Sequence, residues 1–263
     1  DFKCALYLTP EILAANPNIQ VNLELAIVDN SQGSDAAASA LVNNTNVYEV
    51  VDYEYDAIDF NMNYVARIGD NGYETLAAAV EAAQPNETIE LINNAEGSGV
   101  VIDKDVTIDF GGFTYTFTSP AVGSTGTQTQ GFQILKDNDV VLKNGTLNVT
   151  DGDARTDFAM LIQNYADLTI TDMTLDGDHL DRNNYSYVLS VNCGDVLING
   201  STSILANEVE GENHFAFDSY DYSAGGYTEL PVVTVNTTGK ITGAVEVSAT
   251  LNLEAVGTGS QMD

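Results

Sequence analysis

Apolar and polar residues alternate with a period of two along most of the second half of the chain. The alternation is clearest in four runs that each begin with an acidic residue: Asp105-Val-Thr-Ile, Asp139-Val-Val-Leu, Asp167-Leu-Thr-Ile and Asp195-Val-Leu-Ile. This period, together with the enrichment in β-branched residues, predicts short strands with one buried face. Turn signals such as Asn144-Gly145 and Asp176-Gly177 separate the strands. We therefore expect this half of the chain to consist of strands.

The four runs form a repeat. They follow one another at intervals of 34, 28 and 28 residues, and a weaker copy at Gly239 comes 44 residues after the last. Other alternating runs lie between them, at residues 132–135, 158–164, 187–192 and 230–236. A unit of two or three short strands cannot bury its apolar face alone and must stack on copies of itself. Because the interval is too short for propeller blades and the leucine-rich pattern is missing, the repeat predicts an all-β parallel β-helix.

One helix is predicted, over residues 73–83, just before the repeats. Leu76, Ala79, Val80 and Ala83 form one apolar face, and Pro85 ends the segment. We expect this helix to cap the first coil of a β-helix that spans residues 64–263. Residues 1–63 have a different pattern, with strand-like runs and an acidic, tyrosine-rich segment, and they predict a small β-rich N-terminal module.

The segment that holds this helix also carries a resemblance. "GYETLAAAVEAAQPNETIELI" followed by "VVIDKDVTIDFGGFTYTF" resembles the first coils of the pectin-lyase-like right-handed β-helix superfamily. The sequence of this segment is similar to those of repeat-bearing surface proteins of bacteria and of phage fibre or tailspike β-helices. The resemblance extends over about residues 64–255 and implies a right-handed β-helix with an N-terminal capping helix. Because this superfamily contains both enzymes and non-enzymes, it implies little about function.

The charge balance narrows the classes of partner. The chain has 39 Asp and Glu against 8 Lys and Arg, a formal net charge of −31. Such a surface repels phosphate backbones and anionic lipid, so we expect no nucleic-acid partner and no membrane binding. No apolar run approaches the roughly 20 residues that a membrane span needs. The acidity favours cations, neutral partners such as glycans, or a high-salt medium, and a solvated surface is the alternative reading.

Enzyme signatures that the resemblance would imply are missing. Pectate lyases of this fold use Asp-bound calcium and a basic residue, and nothing in the chain matches their catalytic Arg pattern. Pectin hydrolases carry Asn-Thr-Asp, Asp-Asp and Gly-His-Gly elements, and none of these three elements occurs in the chain. His179 and His214 stand alone in expected loops and are predicted to be inert. We therefore favour a non-enzymatic exterior protein, an adhesin, fibre or decoration module that presents a β-helix face to a glycan or protein partner. The alternatives are a polysaccharide lyase or depolymerase and a purely structural virion or appendage subunit.

Candidate ligand-binding residues lie in the longest insertion between repeats. The segment "FDSYDYSAGGY" places aromatic rings beside carboxylates, which is a combination suited to sugar rings, and insertions on a coil often carry function. The alternative is a loop that only packs against the coil. The candidates are Asp218, Tyr220, Asp221, Tyr222 and Tyr227.

Candidate metal ligands lie in two Asp-Gly-Asp turns. Asp151 and Asp153 follow one strand, and Asp176 and Asp178 follow the next copy. We expect the turns to lie one coil apart, about 4.8 Å, where a shared Ca²⁺ would relieve the repulsion between carboxylates. Calcium is the one cofactor that these residues predict. The alternative is solvated turns in which Asp caps backbone amides, and the same structural role is expected for the repeated Asp105, Asp139, Asp167 and Asp195.

Three further expectations concern the chain as a whole. Cys4 and Cys193 are either bridged or buried thiols. Sequons at Asn43, Asn86, Asn144, Asn148, Asn184, Asn199 and Asn236 give weak support for an extracellular, cell-surface or virion location. The last coil, residues 240–263, has no obvious cap, so we expect a subunit or domain contact at its edge.

Overall fold

The computed structural model describes residues 64–180, 185–207 and 213–262. The predicted module at residues 1–63, and with it Cys4, lies outside the described residues. The described residues contain one α-helix, α1 (Leu76–Ala82), two short 3₁₀ helices (Asp153–Asp157 and Ser223–Gly225), and these strands: β1 (Ala66–Ile68), β2 (Asn71–Tyr73), β3 (Glu87–Leu91), β4 (Ala95–Gly97), β5 (Val100–Ile102), β6 (Val106–Asp109), β7 (Thr114–Phe117), β8 (Gln130–Ile134), β9 (Asp139–Val149), β10 (Met160–Asn164), β11 (Asp167–Gly177), β12 (Tyr185–Val191), β13 (Asp195–Gly200), β14 (Ser203–Ala206), β15 (Asn213–Ser219), β16 (Val232–Thr237), β17 (Ile241–Val247), β18 (Thr250–Ala255) and β19 (Gln261–Met262).

The strands pair in three parallel stacks. Stack 1 contains β3, β6, β9, β11, β13, β16 and β18 in that order. Stack 2 contains β4, β7, the second halves of β9 and β11, then β14, the start of β17, and β19. Stack 3 contains β5, β8, β10, β12, β15 and the end of β17. From β3 onward the chain visits stacks 1, 2 and 3 in the same order on every circuit.

The prediction of an all-β, mostly parallel fold is confirmed. The exceptions are antiparallel: β1 pairs with β2 and β3 at the start of the described chain, and an isolated bridge joins Val122 to Gln130. The intervals of the sequence repeat are the lengths of single circuits, since Asp139 on β9 pairs with Asp167 on β11.

One part of the predicted repeat alignment is wrong. The weaker copy at Gly239 leads into β17, which pairs with β14 in stack 2. The next position of stack 1 after Asp195 is taken by Val232 on β16, in a run that the sequence pattern assigns to the intervening set. Two alternating runs of similar composition are interchangeable by pattern alone, and only the pairing register tells them apart.

The core is built from inward residues that repeat at the same register position on each circuit. Stack 1 gives the clearest example, in which each residue pairs with the next along the stack and all are fully buried: Ile108, Leu142, Ile170, Ile198 and Val235. Strands of this stack alternate buried and partly exposed positions, as in β6 and β13. This alternation is the origin of the period-two pattern in the sequence.

The predicted helix is present but shorter than residues 73–83. It spans Leu76–Ala82, because Thr75 takes the N-cap position and its Oγ1 accepts a hydrogen bond from the Ala78 amide at 3.1 Å. The residues before it form β2. The predicted apolar face is buried and packs against β1, β2 and β5, the first strand of stack 3.

Candidate ligand-binding groove

A groove of about 300 Å³ opens beside the turns that lead from stack 3 into stack 1. Its walls come from successive circuits, so residues far apart in sequence meet there. It is lined by Asp105, Lys136, Asp137, Asn138, Asp139, Tyr165, Ala166, Asp167, Gly194 and Glu229.

The repeated acidic residues form the back of this groove. The Asp105 Oδ1 atom accepts a hydrogen bond from the Asp139 amide at 2.8 Å, and Asp167 Oδ1 accepts one from the Asp195 amide at 2.8 Å. The carboxylates thus have a structural role, but they cap the strand of the next circuit and not their own. Only one oxygen of each carboxylate makes these bonds, so the groove retains hydrogen-bond acceptors.

A buried amide shapes the middle of the groove. Asn164 is fully buried, and its Nδ2 donates to the Ala166 carbonyl at 2.7 Å and to the Cys193 carbonyl at 3.4 Å. The two turns that these carbonyls belong to come from adjacent circuits. Gly194 completes the second turn with φ +80°, and a Cβ atom there would lie 2.2 Å from the Ala166 carbonyl oxygen. Only glycine fits this close approach.

Lys136 is the only cationic side chain among the groove-lining residues. Its Nζ lies 2.9 Å from Asp137 Oδ1 and 3.8 Å from Glu229 Oε2. The hydrogen bond and charge of Asp137 raise the pKa of Lys136. With its charge already shared between two carboxylates, Lys136 leaves the groove acidic.

A tyrosine cluster, Tyr165, Tyr220, Tyr222 and Tyr227, adjoins the groove. The ring centroids of Tyr165 and Tyr227 lie 4.9 Å apart at 25°, and those of Tyr222 and Tyr227 lie 5.6 Å apart at 28°. Tyr220 lies 6.3 Å from Tyr222. Burial, with the neighbouring hydroxyls of Tyr227 and Tyr222, raises the pKa of Tyr165 to about 12. The rings of the cluster offer apolar faces with polar tips.

The structure brings together three of the five predicted ligand-binding residues. Tyr220, Tyr222 and Tyr227 belong to the tyrosine cluster, and Tyr220 and Tyr222 remain exposed at 40 % and 38 %. Asp221 is partly exposed and accepts a hydrogen bond from the Ser223 amide at 2.9 Å. Hydrogen bonds from the Ser223 side chain and amide lower its pKa. It stabilises the loop backbone.

Asp218 is the predicted ligand-binding residue that is not at an exposed surface. It is 4 % exposed, and its Oδ1 accepts a hydrogen bond from the Val191 amide at 2.6 Å. The Ser190 hydroxyl donates to Oδ2 at 3.3 Å. Burial, with a smaller contribution from the nearby Glu246, raises the pKa of Asp218 to about 7 against the opposing effect of these hydrogen bonds.

Sequence reasoning missed Lys136, Tyr165 and Glu229. Tyr165 occupies the second position before the repeated Asp167, the position that Asp137 has before Asp139. Both turns line the groove. An alignment of the turns that precede the repeated Asp residues, and not of the strands that follow them, would therefore have pointed to Lys136 and Tyr165. No comparable pattern points to Glu229, which follows the tyrosine-containing loop.

The two Asp-Gly-Asp turns do not stack as predicted. Thr146 and Leu147 do pair with Thr174 and Leu175, but Asp176 follows Leu175 directly, whereas Asp151 comes four residues after Leu147. Asp176 remains within β11 and pairs with Leu205 on β14. In the part of the chain that the structure describes, no three His, Cys, Asp or Glu side chains lie close enough to hold a metal ion. Asp151, Asp153, Asp176 and Asp178 are therefore not gathered into one site.

Asp178 instead takes part in a turn, in line with the alternative of capped turns. Its amide donates to Asp176 Oδ1 at 3.1 Å, and its own carboxylate lies 3.8 Å from Nε2 of His179. The two Asp-Gly-Asp turns are offset, so their carboxylates do not face one another across neighbouring circuits as the metal prediction requires. The Asp176 carboxylate accepts a hydrogen bond from its local backbone instead.

His214 is not in a loop as predicted. It lies within β15, is buried, and its Nδ1 is 2.7 Å from the Ser186 hydroxyl on β12. Both side chains are almost fully buried, so the pair stabilises the contact between two circuits of stack 3. Cys193 is a buried free thiol, and burial raises its pKa.

Comparisons of the chain with models of protein families, with curated proteins and with solved structures found no match in any of the three. Among the described residues, no helix has both the length and the apolar character needed to cross a membrane.

Proposed function

We propose that the described chain is a right-handed parallel β-helix of the pectin-lyase-like type and that it serves as a non-enzymatic glycan-binding module outside the cell. The location on a cell surface or virion is part of this proposal. The observation that carries the function is the groove, in which stacked tyrosine rings adjoin a row of carboxylate acceptors. Ring faces accommodate the C–H face of a sugar, and carboxylates accept hydrogen bonds from its hydroxyls.

The charge of the groove supports a neutral or amine-bearing glycan over an acidic one. Five of the lining residues are carboxylates, Asp105, Asp137, Asp139, Asp167 and Glu229, and Lys136 is the one cation among them. A uronate would bring another negative charge into this field, at a cost that grows as the groove excludes water. A protein partner is the alternative occupant of the same surface.

Retention of defined polysaccharides on the immobilised chain tests this function. Dextran, xylan, chitosan and polygalacturonate are each applied with and without calcium, and polymer length is followed in parallel. We expect retention of at least one neutral or amine-bearing polymer without shortening, and loss of that retention in Tyr222→Ala. Tyr185→Ala is the matched control, because Tyr185 is 41 % exposed but lies on β12 outside the tyrosine cluster. Shortened polymer would mean a depolymerase, and no retention of any polymer would reject the proposal.

A second candidate function, a structural subunit, is favoured by the edge at β18 and β19. Each of these strands pairs on one side only within the described part of the chain, and Leu253 on β18 is 52 % exposed. An unpaired strand edge with exposed apolar residues is suited to a subunit or domain contact.

A further inference from the structure

The groove adjoins a pair of carboxylates in stack 3. Asp218 on β15 and Glu246 on β17 occupy paired positions on neighbouring strands, and paired positions in parallel strands are about 4.8 Å apart. Asp218 is 4 % exposed, whereas Glu246 is partly exposed. Burial penalises the ionised form of Asp218, and the charge of a carboxylate at the paired position adds to that penalty.

Within the described part of the chain, no cationic side chain forms an ion pair with either carboxylate. The groups that face Asp218 from the surrounding elements are Glu246 from β17, Tyr187 from β12, and Tyr165, which follows β10. The Tyr187 hydroxyl donates to Glu246 Oε2 at 3.0 Å. Asp218 is the more buried of the two carboxyl groups, and burial penalises its charged form, so the proton belongs on Asp218.

Asp218 is also joined to both walls of the groove. It accepts the Val191 amide at 2.6 Å, and Val191 leads into the turn that ends in Gly194. The Val191 carbonyl accepts the Tyr220 amide at 2.9 Å, at the start of the loop that carries Tyr222, Tyr227 and Glu229. A change at Asp218 therefore acts on the turn and on the tyrosine cluster together.

We propose that the buried Asp218 carboxyl, beside Glu246, keeps the turn at Gly194 and the tyrosine cluster in place when it holds a proton and loosens them when it is ionised. The effect of this site on glycan binding rests on the function proposed above. Protonated Asp218 removes the repulsion from Glu246, whereas ionised Asp218 draws water into the contact between β15 and β17. Burial raises the pKa of Asp218 to about 7, so Asp218 ionises within the pH range found in cells and their surroundings.

The test needs no glycan, and its failure is therefore distinct from failure of the proposed function. The chain is labelled with ¹³C at the Asp carboxyl carbons and at the tyrosine rings, and NMR spectra are recorded between pH 4 and 9. We expect one Asp carboxyl, absent from the spectrum of Asp218→Asn, to titrate near neutral pH. The ring signals of Tyr165 and Tyr227 should shift with the same midpoint in the unmodified chain and lose that shift in the variant.

Two further variants test the proposal even if Asp218→Asn does not fold. Glu246→Gln removes the neighbouring charge and should move the Asp218 midpoint downward. Asp221→Asn changes a partly exposed carboxylate of the same loop and should leave the midpoint and the ring shifts unchanged. An Asp218 midpoint in the ordinary acidic range, an unmoved midpoint in Glu246→Gln, or tyrosine signals that do not follow Asp218 would each overturn the proposal. Once a polymer from the panel is retained, its retention should fall as pH rises through the same midpoint.

Discussion

Asp218 and Glu246 stand at paired positions on β15 and β17, with the Asp218 carboxylate buried and with no ion pair to either of them within the described ranges. Parallel stacking produces this relationship directly, since any side chain on one circuit has a neighbour about 4.8 Å away on the next. Apolar residues gain from such stacking, whereas like charges are destabilised by it. The buried Asp218 carboxyl therefore makes the stability of stack 3 depend on pH.

Asp218→Asn is expected to change how stability varies with pH. The folded-state pKa of Asp218 is about 7 against an ordinary value of 3.8, so the folded chain holds a proton that the unfolded chain has lost between these values. The stabilisation from this proton is complete below the ordinary pKa and is lost as pH rises to about 7, a change of roughly 4 kcal/mol. The stability of the variant relative to the unmodified chain should therefore rise over this range in urea unfolding.

Asp221→Asn is the control for that measurement, and its expected sign is opposite. Hydrogen bonds from Ser223 lower the pKa of Asp221, so its stabilisation is present at neutral pH and is lost as the pH falls through the folded pKa. The control should be the less stable chain at neutral pH and should equal the unmodified chain in acid. A stability difference for Asp218→Asn that does not change with pH would contradict the prediction.

Gly194→Ala should destabilise the chain by roughly 2–4 kcal/mol, because it adds steric overlap to backbone strain. Gly194 has φ +80°, and its Cβ would lie 2.2 Å from a backbone oxygen. Gly112 has a similar φ of +85° but no atom within 4 Å of a Cβ, so Gly112→Ala should cost only about 1–2 kcal/mol. Urea midpoints compare the two, and equal costs would mean that the close approach at Gly194 is unimportant.

Asp167→Ala should cost about 1 kcal/mol more than Asp139→Ala. Both residues lie in the same acidic row, but Asp167 accepts the Asp195 amide, whereas no hydrogen bond between described side chains and backbone ends on the Asp139 carboxylate. Thermal unfolding of the two variants checks this difference. A greater loss in Asp139→Ala would show that the capping bond is not what stabilises this row.

Added salt should stabilise the chain. A formal charge of −31 produces strong self-repulsion, and the Debye length falls from about 10 Å at 0.1 M salt to about 3 Å at 1 M. We expect the urea midpoint to rise with NaCl over this range. Sucrose at matched osmolality is the control for solvent exclusion, and a midpoint that responds to both additives equally would argue against charge screening.

Leu253→Lys is expected to weaken any self-association through the β18 edge. Leu253 is 52 % exposed on a strand that pairs only with β16 within the described ranges, and lysine at an edge opposes strand pairing. Sedimentation velocity over a concentration series measures the effect. Val101→Lys, at a 39 % exposed position on β5, is the control. A concentration-independent monomer before any substitution would rule out self-association at this edge.

Most of the fold could be predicted because stacked circuits leave a direct mark on the sequence. The alternation in β6, β9, β11 and β13 reflects one buried face, and the spacing of the acidic runs is the length of a circuit. Prediction was wrong at β16 and β17, where insertions change the circuit length and two similar runs compete for one stack position. A sequence repeat indicates which strands pair only where the interval between its copies stays constant.

The sequence by itself determined the class of fold, the place of the helix, the acidity and three of the four tyrosines in the cluster. Only the tertiary structure decided that Tyr165 joins them, that Lys136 meets Glu229, and that the Asp-Gly-Asp turns are offset. The physical reason is that strand pattern depends on which face each residue presents, a local property with a period of two. The groove and the Asp218–Glu246 pair depend instead on which turns and strands lie one circuit apart. The length of every segment between two turns decides whether those turns become neighbours.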